Sequence, residues 1–298
     1  MDIPVSQPAF ADLGAIRLAY QTFGQARRPA LLLIMGLGTQ MVAWDEDFCR
    51  LLAGSGFFVI RFDNRDIGRS THLADAPVPD LDELVRSLEA GQPVAVPYSL
   101  RDMAQDAAGL LDALDIPAAH VAGVSMGAMI GQEMAIHLPQ KMLSLTSIMS
   151  STGAPDLPPP TPEALAVLME PFPTKREGYV KAFIEAYKVL SGPQYPMNVA
   201  RARTWAEAHF RRGLNPNGVA RQMAAITAAG DRTAALAHVK VPTLVLHGSV
   251  DPLLPPACGQ ATARAIPGAR LEILDGMGHV IPEALWPRIV ALIAGHLR

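Results

Sequence analysis

The sequence predicts an α/β protein, a mostly parallel sheet flanked by helices and interrupted by a helical insertion. Three observations carry the prediction. Several short runs are apolar on both faces and end in turn residues, helical patterns alternate with them, and the alternation stops over residues 152–238 before it resumes. Strands buried on both faces read as continuous apolar runs, and strand–helix alternation is the mark of a parallel sheet.

The elements follow in chain order. Phe10 to Thr22, with a turn near Asp12 to Gly14, reads as an antiparallel hairpin at one edge. Ala30 to Met35 is continuously apolar and stops at Gly36, and Phe57 to Phe62 is apolar except for Arg61 and stops at Asp63-Asn64. Between them, Asp45 to Ala53 places Phe48, Leu51 and Leu52 on one side of a helix. Ser99 followed by Asp102 is a capping-box variant that opens a helix through Leu114. A third strand, His120 to Val124, ends at Ser125 and runs straight into a helical pattern, Met126 to His137; a fourth covers Leu143 to Met149. The prolines between Ser151 and Pro160 forbid both helix and inner strand. Only helical patterns follow: Glu163–Met169, Glu177–Leu190, Val199–Arg212 and Gly218–Thr227. Strands resume at Thr243–Leu246 and Leu271–Leu274, and a helix from Pro282 closes the chain, with proline tolerated in its first turn. The expected division is a sheet core of residues 1–151 and 239–298 around a helical cap of residues 152–238.

Composition narrows the function classes. The chain has 298 residues, 50% of them hydrophobic and 18% charged, with a net charge of −3. That near-neutral charge gives no reason to expect a nucleic-acid partner. Its two cysteines make neither a disulfide framework nor a zinc site, and no H-E-x-x-H or Cys/His cluster occurs, so no metal is expected. The first residues lack the basic and apolar regions of a secretory signal, and no apolar run approaches the roughly 20 residues that span a bilayer. A cytoplasmic protein without a membrane span is expected; the oligomeric state stays open.

The chemistry centres on Gly123-Val124-Ser125-Met126-Gly127, a G-x-S-x-G pattern. The bare pattern is weak, but here it follows an apolar strand and opens a helix. Such a turn is sharp, and side chains at either glycine would collide with the neighbouring strand and helix. The helix N-terminus also sets backbone N–H groups beside Ser125, where negative charge develops in acyl transfer. A serine hydroxyl needs a base, and the base an orienting carboxylate. Asp251, just past the strand Thr243–Leu246, and His279, after the next strand, supply them in the order Ser, acid, His, each at the C-terminal end of a strand. Asp275 competes with Asp251 for the acid role, though it follows the other strand. His247 falls before the acid, and His72, His120, His137, His209, His238 and His296 lack a paired acid signature. The candidate oxyanion donors are the backbone N–H of Met126 and that of Leu37, in the turn Met35-Gly36-Leu37-Gly38 after the first inner strand.

Together with Asp63-Asn64-Arg65-Asp66-Ile67-Gly68-Arg69-Ser70, these motifs resemble the α/β-hydrolase superfamily, in wording close to the small esterase branch that includes aclacinomycin methylesterase. The resemblance covers roughly residues 8 to 150 and 240 to 298 and is poor across the helical segment. It implies an eight-stranded sheet, a cap that determines substrate, and cofactor-free hydrolysis of a small-molecule carboxylic ester by a carboxylesterase-like serine enzyme. Met35 stands where many members carry histidine, so hydrogen bonds made by that histidine must be absent or replaced. Serine at position 125 argues against the dehalogenase and epoxide hydrolase branches, which use aspartate there. A lactonase, a C–C bond hydrolase or a perhydrolase would keep the same triad, and a low-turnover ligand receptor of this fold is the alternative outside catalysis.

Overall fold

The computed structural model describes residues 3–296; Met1, Asp2, Leu297 and Arg298 lie outside them. Eight strands form one sheet: β1 (Ala9–Asp12), β2 (Arg17–Phe23), β3 (Ala30–Ile34), β4 (Phe58–Phe62), β5 (Ala119–Val124), β6 (Met142–Ile148), β7 (Thr243–Gly248) and β8 (Arg270–Leu274). Their spatial order is β1-β2-β4-β3-β5-β6-β7-β8. β1 and β2 form the antiparallel edge hairpin, and β2 also runs antiparallel to β4. From β4 onward every pairing is parallel. β3 is buried at every residue, as its unbroken apolar run requires.

Helices cover both faces. In chain order they are α1 (Glu46–Gly54), α2 (Leu81–Glu89), α3 (Leu100–Ala113), α4 (Met126–His137), α5 (Pro162–Met169), α6 (Arg176–Leu190), α7 (Val199–Arg212), α8 (Pro216–Ala229), α9 (Thr233–Leu236), α10 (Pro256–Ala265) and α11 (Trp286–His296). The capping box of α3 forms as read: Ser99 Oγ accepts from Asp102 N–H, and Asp102 Oδ2 accepts from Ser99 N–H at 2.8 Å. α4 is buried nearly all round, from Met126 to Ala135, which explains why its sequence lacks a polar face. One apolar cluster joins α3 and α4 to one side of the sheet; another joins α1 and α11 to the opposite side.

Three elements differ from the sequence expectation. α2 was not singled out although Leu81, Leu84, Val85 and Leu88 follow helical spacing; Leu84 is buried while Val85 and Leu88 stay exposed. α10 buries Cys258, Gly259 and Thr262, small residues that make no periodic apolar signal. The closing helix starts at Trp286; Pro282 is extended and precedes a 3-10 turn over Glu283–Leu285.

Between β6 and β7 the chain is helical, α5 to α9, after the extended proline-rich stretch. α6 and α7 share an apolar cluster of their own, built on Tyr179, Val180, Phe183, Ile184, Ala202 and Ala206. By contrast, Ala225 of α8 and Leu236 of α9 join the cluster on the α3–α4 side of the sheet. Two buried ion pairs bind this segment to the loop after β4, Arg221 to Asp66 and Arg212 to Asp63.

Candidate active site

Ser125 sits between the end of β5 and the start of α4 with φ 55° and ψ −120°, a strained conformation for a residue with a side chain. The flanking glycines make the turn possible. A Cβ on Gly123 would lie 2.2 Å from the Gly127 carbonyl oxygen, and one on Gly127 would lie 2.2 Å from that of Ile34. Backbone on both sides cannot yield, so neither position accepts a side chain. The Ser125 N–H donates to Ile148 O at 2.9 Å, and its carbonyl accepts from Ser150 Oγ at 2.9 Å. The backbone of the turn is thus held on its β6 side.

His279 lies in the loop after β8, and its Nδ1 meets Asp251 Oδ2 at 2.7 Å. A carboxylate only accepts, so Nδ1 carries the proton and Nε2 keeps the lone pair a general base needs. Asp251 is buried, and its other oxygen accepts the N–H groups of Leu253 and Leu254, each at 2.9 Å. The carboxylate is therefore fixed at both oxygens. The His279 loop is itself braced from α6, since His279 N–H donates to Leu190 O at 2.7 Å.

The competing residues take other roles. Asp275 accepts from Ser249 Oγ at 3.2 Å rather than from His279. His247 Nε2 is 3.5 Å from Asp251 Oδ2 but donates to Leu254 O at 2.7 Å. Burial pushes the His247 imidazole below its ordinary value, against the Leu254 carbonyl and Asp251, which pull it up. Its other nitrogen is buried without a partner among the described residues. The His247 side chain is wholly enclosed beside Asp251 and does not line the cavity described below.

Ser125, His279 and Leu37 line one cavity of about 170 Å³, with Asp251 behind the histidine. A Cβ on Gly36 would be 3.3 Å from Ser125 Cβ, so the turn after β3 lies directly against the serine. Among the described residues, neither the Leu37 N–H nor the Met126 N–H has an acceptor. Two unpaired donors beside a serine at a helix N-terminus are what an oxyanion requires. The rest of the wall is apolar, including Met35, Trp44, Phe48, Met149, Leu168 and Trp286. Asp45 is the one acidic side chain that lines it among the described residues, and Oδ2 of Asp45 is taken by Arg201 at 2.8 Å and by Trp205 Nε1 at 2.9 Å. Among the described residues no Lys or Arg lines the cavity. A wider groove of about 370 Å³ shares Tyr187, Trp205 and Val280 with it and carries polar groups such as Gln194, Asn198 and Arg201.

Two residues of the Asp63–Ser70 motif and one of α8 hold the turn after β3 and the chain beyond it. Asn64 Nδ2 donates to Met35 O at 3.0 Å, and Asp63 Oδ1 accepts from Met41 N–H at 2.7 Å. Both belong to the Asp63–Ser70 motif, so its position in the sequence was a signal even though its contacts were not. Gln222 of α8, which also reaches this turn, had no signal at all: it is a glutamine inside a helical pattern. Among the described residues no three His, Cys, Asp or Glu side chains gather into a metal-binding group, and no helix is long and apolar enough to cross a membrane.

The comparisons with known proteins fall on the same architecture. Rhodomycin D methylesterase DnrP of Streptomyces peucetius is 28% identical, with 95% of each chain covered. 3-Oxoadipate enol-lactonase 2 of Acinetobacter baylyi is also 28% identical, over 87% of this chain and 85% of its own length. The solved enol-lactonase of Burkholderia xenovorans LB400 superposes with a TM-score of 0.73 at 23% identity, covering 97% of this chain and 99% of the other. The family described as alpha/beta hydrolase fold matches residues 29–283, a span that takes in β3 through the His279 loop. With the eight-stranded sheet in hand and most of the chain matched, the protein is a member of the α/β-hydrolase fold family.

Proposed function

We propose that the protein hydrolyses carboxylic esters through an acyl-enzyme, with Ser125 as nucleophile, His279 as general base, Asp251 as the orienting carboxylate, and the Leu37 and Met126 N–H groups as oxyanion donors. The observation that carries the reading is the 2.7 Å contact of His279 with Asp251 beside a cavity that Ser125 also lines. Ser125 Oγ attacks the ester carbonyl carbon as His279 Nε2 takes its proton. The carbonyl electron pair moves onto the oxygen, where the two N–H groups hold it. The pair returns, the C–O bond to the alcohol breaks, and His279 hands its proton to the departing alcohol. Water then repeats the cycle against the acyl group, with His279 again as base.

The cavity favours an uncharged, mostly apolar arm of the substrate, because its one charged side chain is an already-paired carboxylate. A 3-oxoadipate enol-lactone carries a free carboxylate, which would lose its hydration in this cavity without a cation to replace it. An ester of the kind named in the methylesterase relatives meets no such obstacle. At about 170 Å³ the cavity is smaller than the roughly 300–1,000 Å³ clefts that enclose drug-sized ligands, so it takes one arm of the substrate while the other lies in the adjoining groove. On this reading residues 152–238 form the cap, contributing Leu168, Tyr187, Leu190 and Trp205 to the wall.

The test is turnover of a neutral p-nitrophenyl ester, together with labelling by a fluorophosphonate mapped to a single residue. Wild type should turn over the ester and carry the label on Ser125, and Ser125→Ala should lose both with an unchanged melting curve. A Ser125→Ala protein that keeps more than about a tenth of wild-type kcat would overturn the nucleophile assignment.

A further inference from the structure

The turn that carries Leu37 is tied to a helix far away in the chain. The Thr39 N–H donates to Gly36 O at 3.2 Å, closing a four-residue turn, and Gly38 takes φ +64° at its third position. That is the pattern of a type II turn, whose central peptide differs in orientation from that of a type I turn. Here the central peptide, Leu37 to Gly38, is held at both ends. The Leu37 carbonyl accepts from Thr39 Oγ1 at 3.0 Å, and the Gly38 N–H donates to Gln222 Oε1 at 2.9 Å.

Gln222 is fully buried, and its amide nitrogen donates to Arg65 O at 2.9 Å. With one backbone donor and one backbone acceptor as partners, the amide has a single workable orientation; turned over, it would set N–H against N–H and oxygen against oxygen. One helical turn earlier, Val219 packs on the same glycine, since a Cβ on Gly38 would lie 3.0 Å from Val219 Cγ2. The helix cannot drift, because Arg221 forms two 2.8 Å bonds to Asp66 and Asn215 Nδ2 donates to Asp66 O at 2.9 Å.

We propose that Gln222 is a positioning residue for the oxyanion turn. It fixes the Leu37–Gly38 peptide and so the direction of the neighbouring Leu37 N–H, although it touches no substrate atom. The proposal rests on the reading of Leu37 as an oxyanion donor. It also carries α8, which lies within residues 152–238, beyond governing which substrate enters: this helix acts on the bond-breaking step.

Gln222→Met keeps the length and loses both hydrogen bonds. Gln222→Glu keeps the acceptor for Gly38 N–H and, when protonated, regains the donor to Arg65 O. Removing an oxyanion donor costs about 10²–10³ in kcat, so misdirecting one should cost roughly 10- to 100-fold. The expected result for Gln222→Met is that loss in kcat per fluorophosphonate-titrated site, with KM nearly unchanged. Affinity for a trifluoromethyl ketone that mimics the tetrahedral oxyanion should fall by the same factor, and Gln222→Glu should recover most of both. A kcat per titrated site within about twofold of wild type, even with a lowered Tm, would reduce Gln222 to packing and overturn the proposal. So would a glutamate variant no better than the methionine one, or a loss that appears wholly in KM. If Gln222→Met does not fold, Gln222→Asn decides, since its shorter amide cannot span both partners: the same kcat loss supports the proposal and an unchanged kcat overturns it. Leu37→Pro, which suits the second position of this turn and removes the N–H itself, isolates failure of the underlying reading: unchanged kcat per titrated site there means that Leu37 is no oxyanion donor, whereas a loss there with none in Gln222→Met overturns the proposal alone.

Discussion

The proton on His279 Nδ1 points at Asp251 Oδ2 across 2.7 Å, and the opposite carboxylate oxygen already serves the N–H groups of Leu253 and Leu254. This double engagement makes Asp251→Asn an informative change. The amide oxygen must face the two backbone donors, which leaves the NH₂ group facing the histidine. An NH₂ cannot accept, so His279 is driven to the tautomer with its proton on Nε2, where the lone pair is needed. The expected outcome is a loss of about 10⁴ in kcat with KM and Tm nearly unchanged. Steady-state kinetics on a p-nitrophenyl ester checks it, and a loss under about tenfold would mean that Asp251 does not orient the base.

Arg221 and Asp66 form the most enclosed arginine–carboxylate pair among the described residues, with side chains 1% and 0% exposed. Burial alone would raise the Asp66 carboxyl, but hydrogen bonds from Arg221 and from the Leu73 backbone hold it below the usual carboxylate value. Arg221→Met removes one partner and strands the other charge. The expected cost is about 3–5 kcal/mol in chemical denaturation, far more than an exposed pair would show. A change of under about 1 kcal/mol would mean that water reaches Asp66 or that the loop rearranges to pair it elsewhere.

These contacts show what a sequence displays and what it hides. β3, β4 and β5 were legible because strands buried on both faces are apolar for nearly all their length, Arg61 and His120 aside, and the edge hairpin was legible because its turn residues interrupt two short runs. The Ser125 turn was legible because two close backbone approaches admit nothing larger than glycine. Asp66 and Arg221 are 155 residues apart, and Gly38 and Gln222 are 184 apart. No local pattern distinguishes a buried arginine or glutamine in a helix from a solvated one, since both are good helix formers. The candidate orienting acid lay between these extremes: Asp251 and Asp275 both follow strands, chain order favoured Asp251, and His279 contacts Asp251 while Asp275 takes Ser249.

His209 gives a pH dependence whose sign is fixed by burial. It is buried on α7 against the Phe183 ring, and burial, with Arg212 adding to it, pushes its imidazole down to about 3. In the unfolded chain the value returns to about 6.5. The native state therefore keeps His209 neutral while the unfolded state gains a proton as the pH drops below that value. The stability this group provides is whole above about pH 6.5 and is lost on descent toward pH 3, at about 1.4 kcal/mol per pH unit. At pH 5 the loss is about 2 kcal/mol relative to pH 8. His209→Leu removes the titrating group, so its denaturation free energy should fall less than that of wild type over this interval, by about that amount. Parallel pH dependences for the two proteins would show that His209 is protonated in the native state.

Leu168 offers a clean test of the cavity as a specificity element. It lies half-buried on α5 and lines the wall, whereas Trp205 also anchors Asp45 and Tyr187 stacks on Phe183 at 4.6 Å, so changes there would disturb more than shape. Leu168→Ala lengthens the apolar chamber without touching Ser125, Asp251 or His279. One methylene in an apolar site is worth about 1–3 kcal/mol, enough to reorder substrates without abolishing turnover. Across a series of p-nitrophenyl esters from acetate to octanoate, the ratio of kcat/KM for the long ester to that for the short one should rise by roughly tenfold or more. The rise requires that the acyl arm occupies the cavity. If the ratio is unchanged but a matching series of alcohol chain lengths responds instead, the arms are reversed. A uniform fall for every ester would mean that Leu168 supports the catalytic geometry and does not measure the substrate.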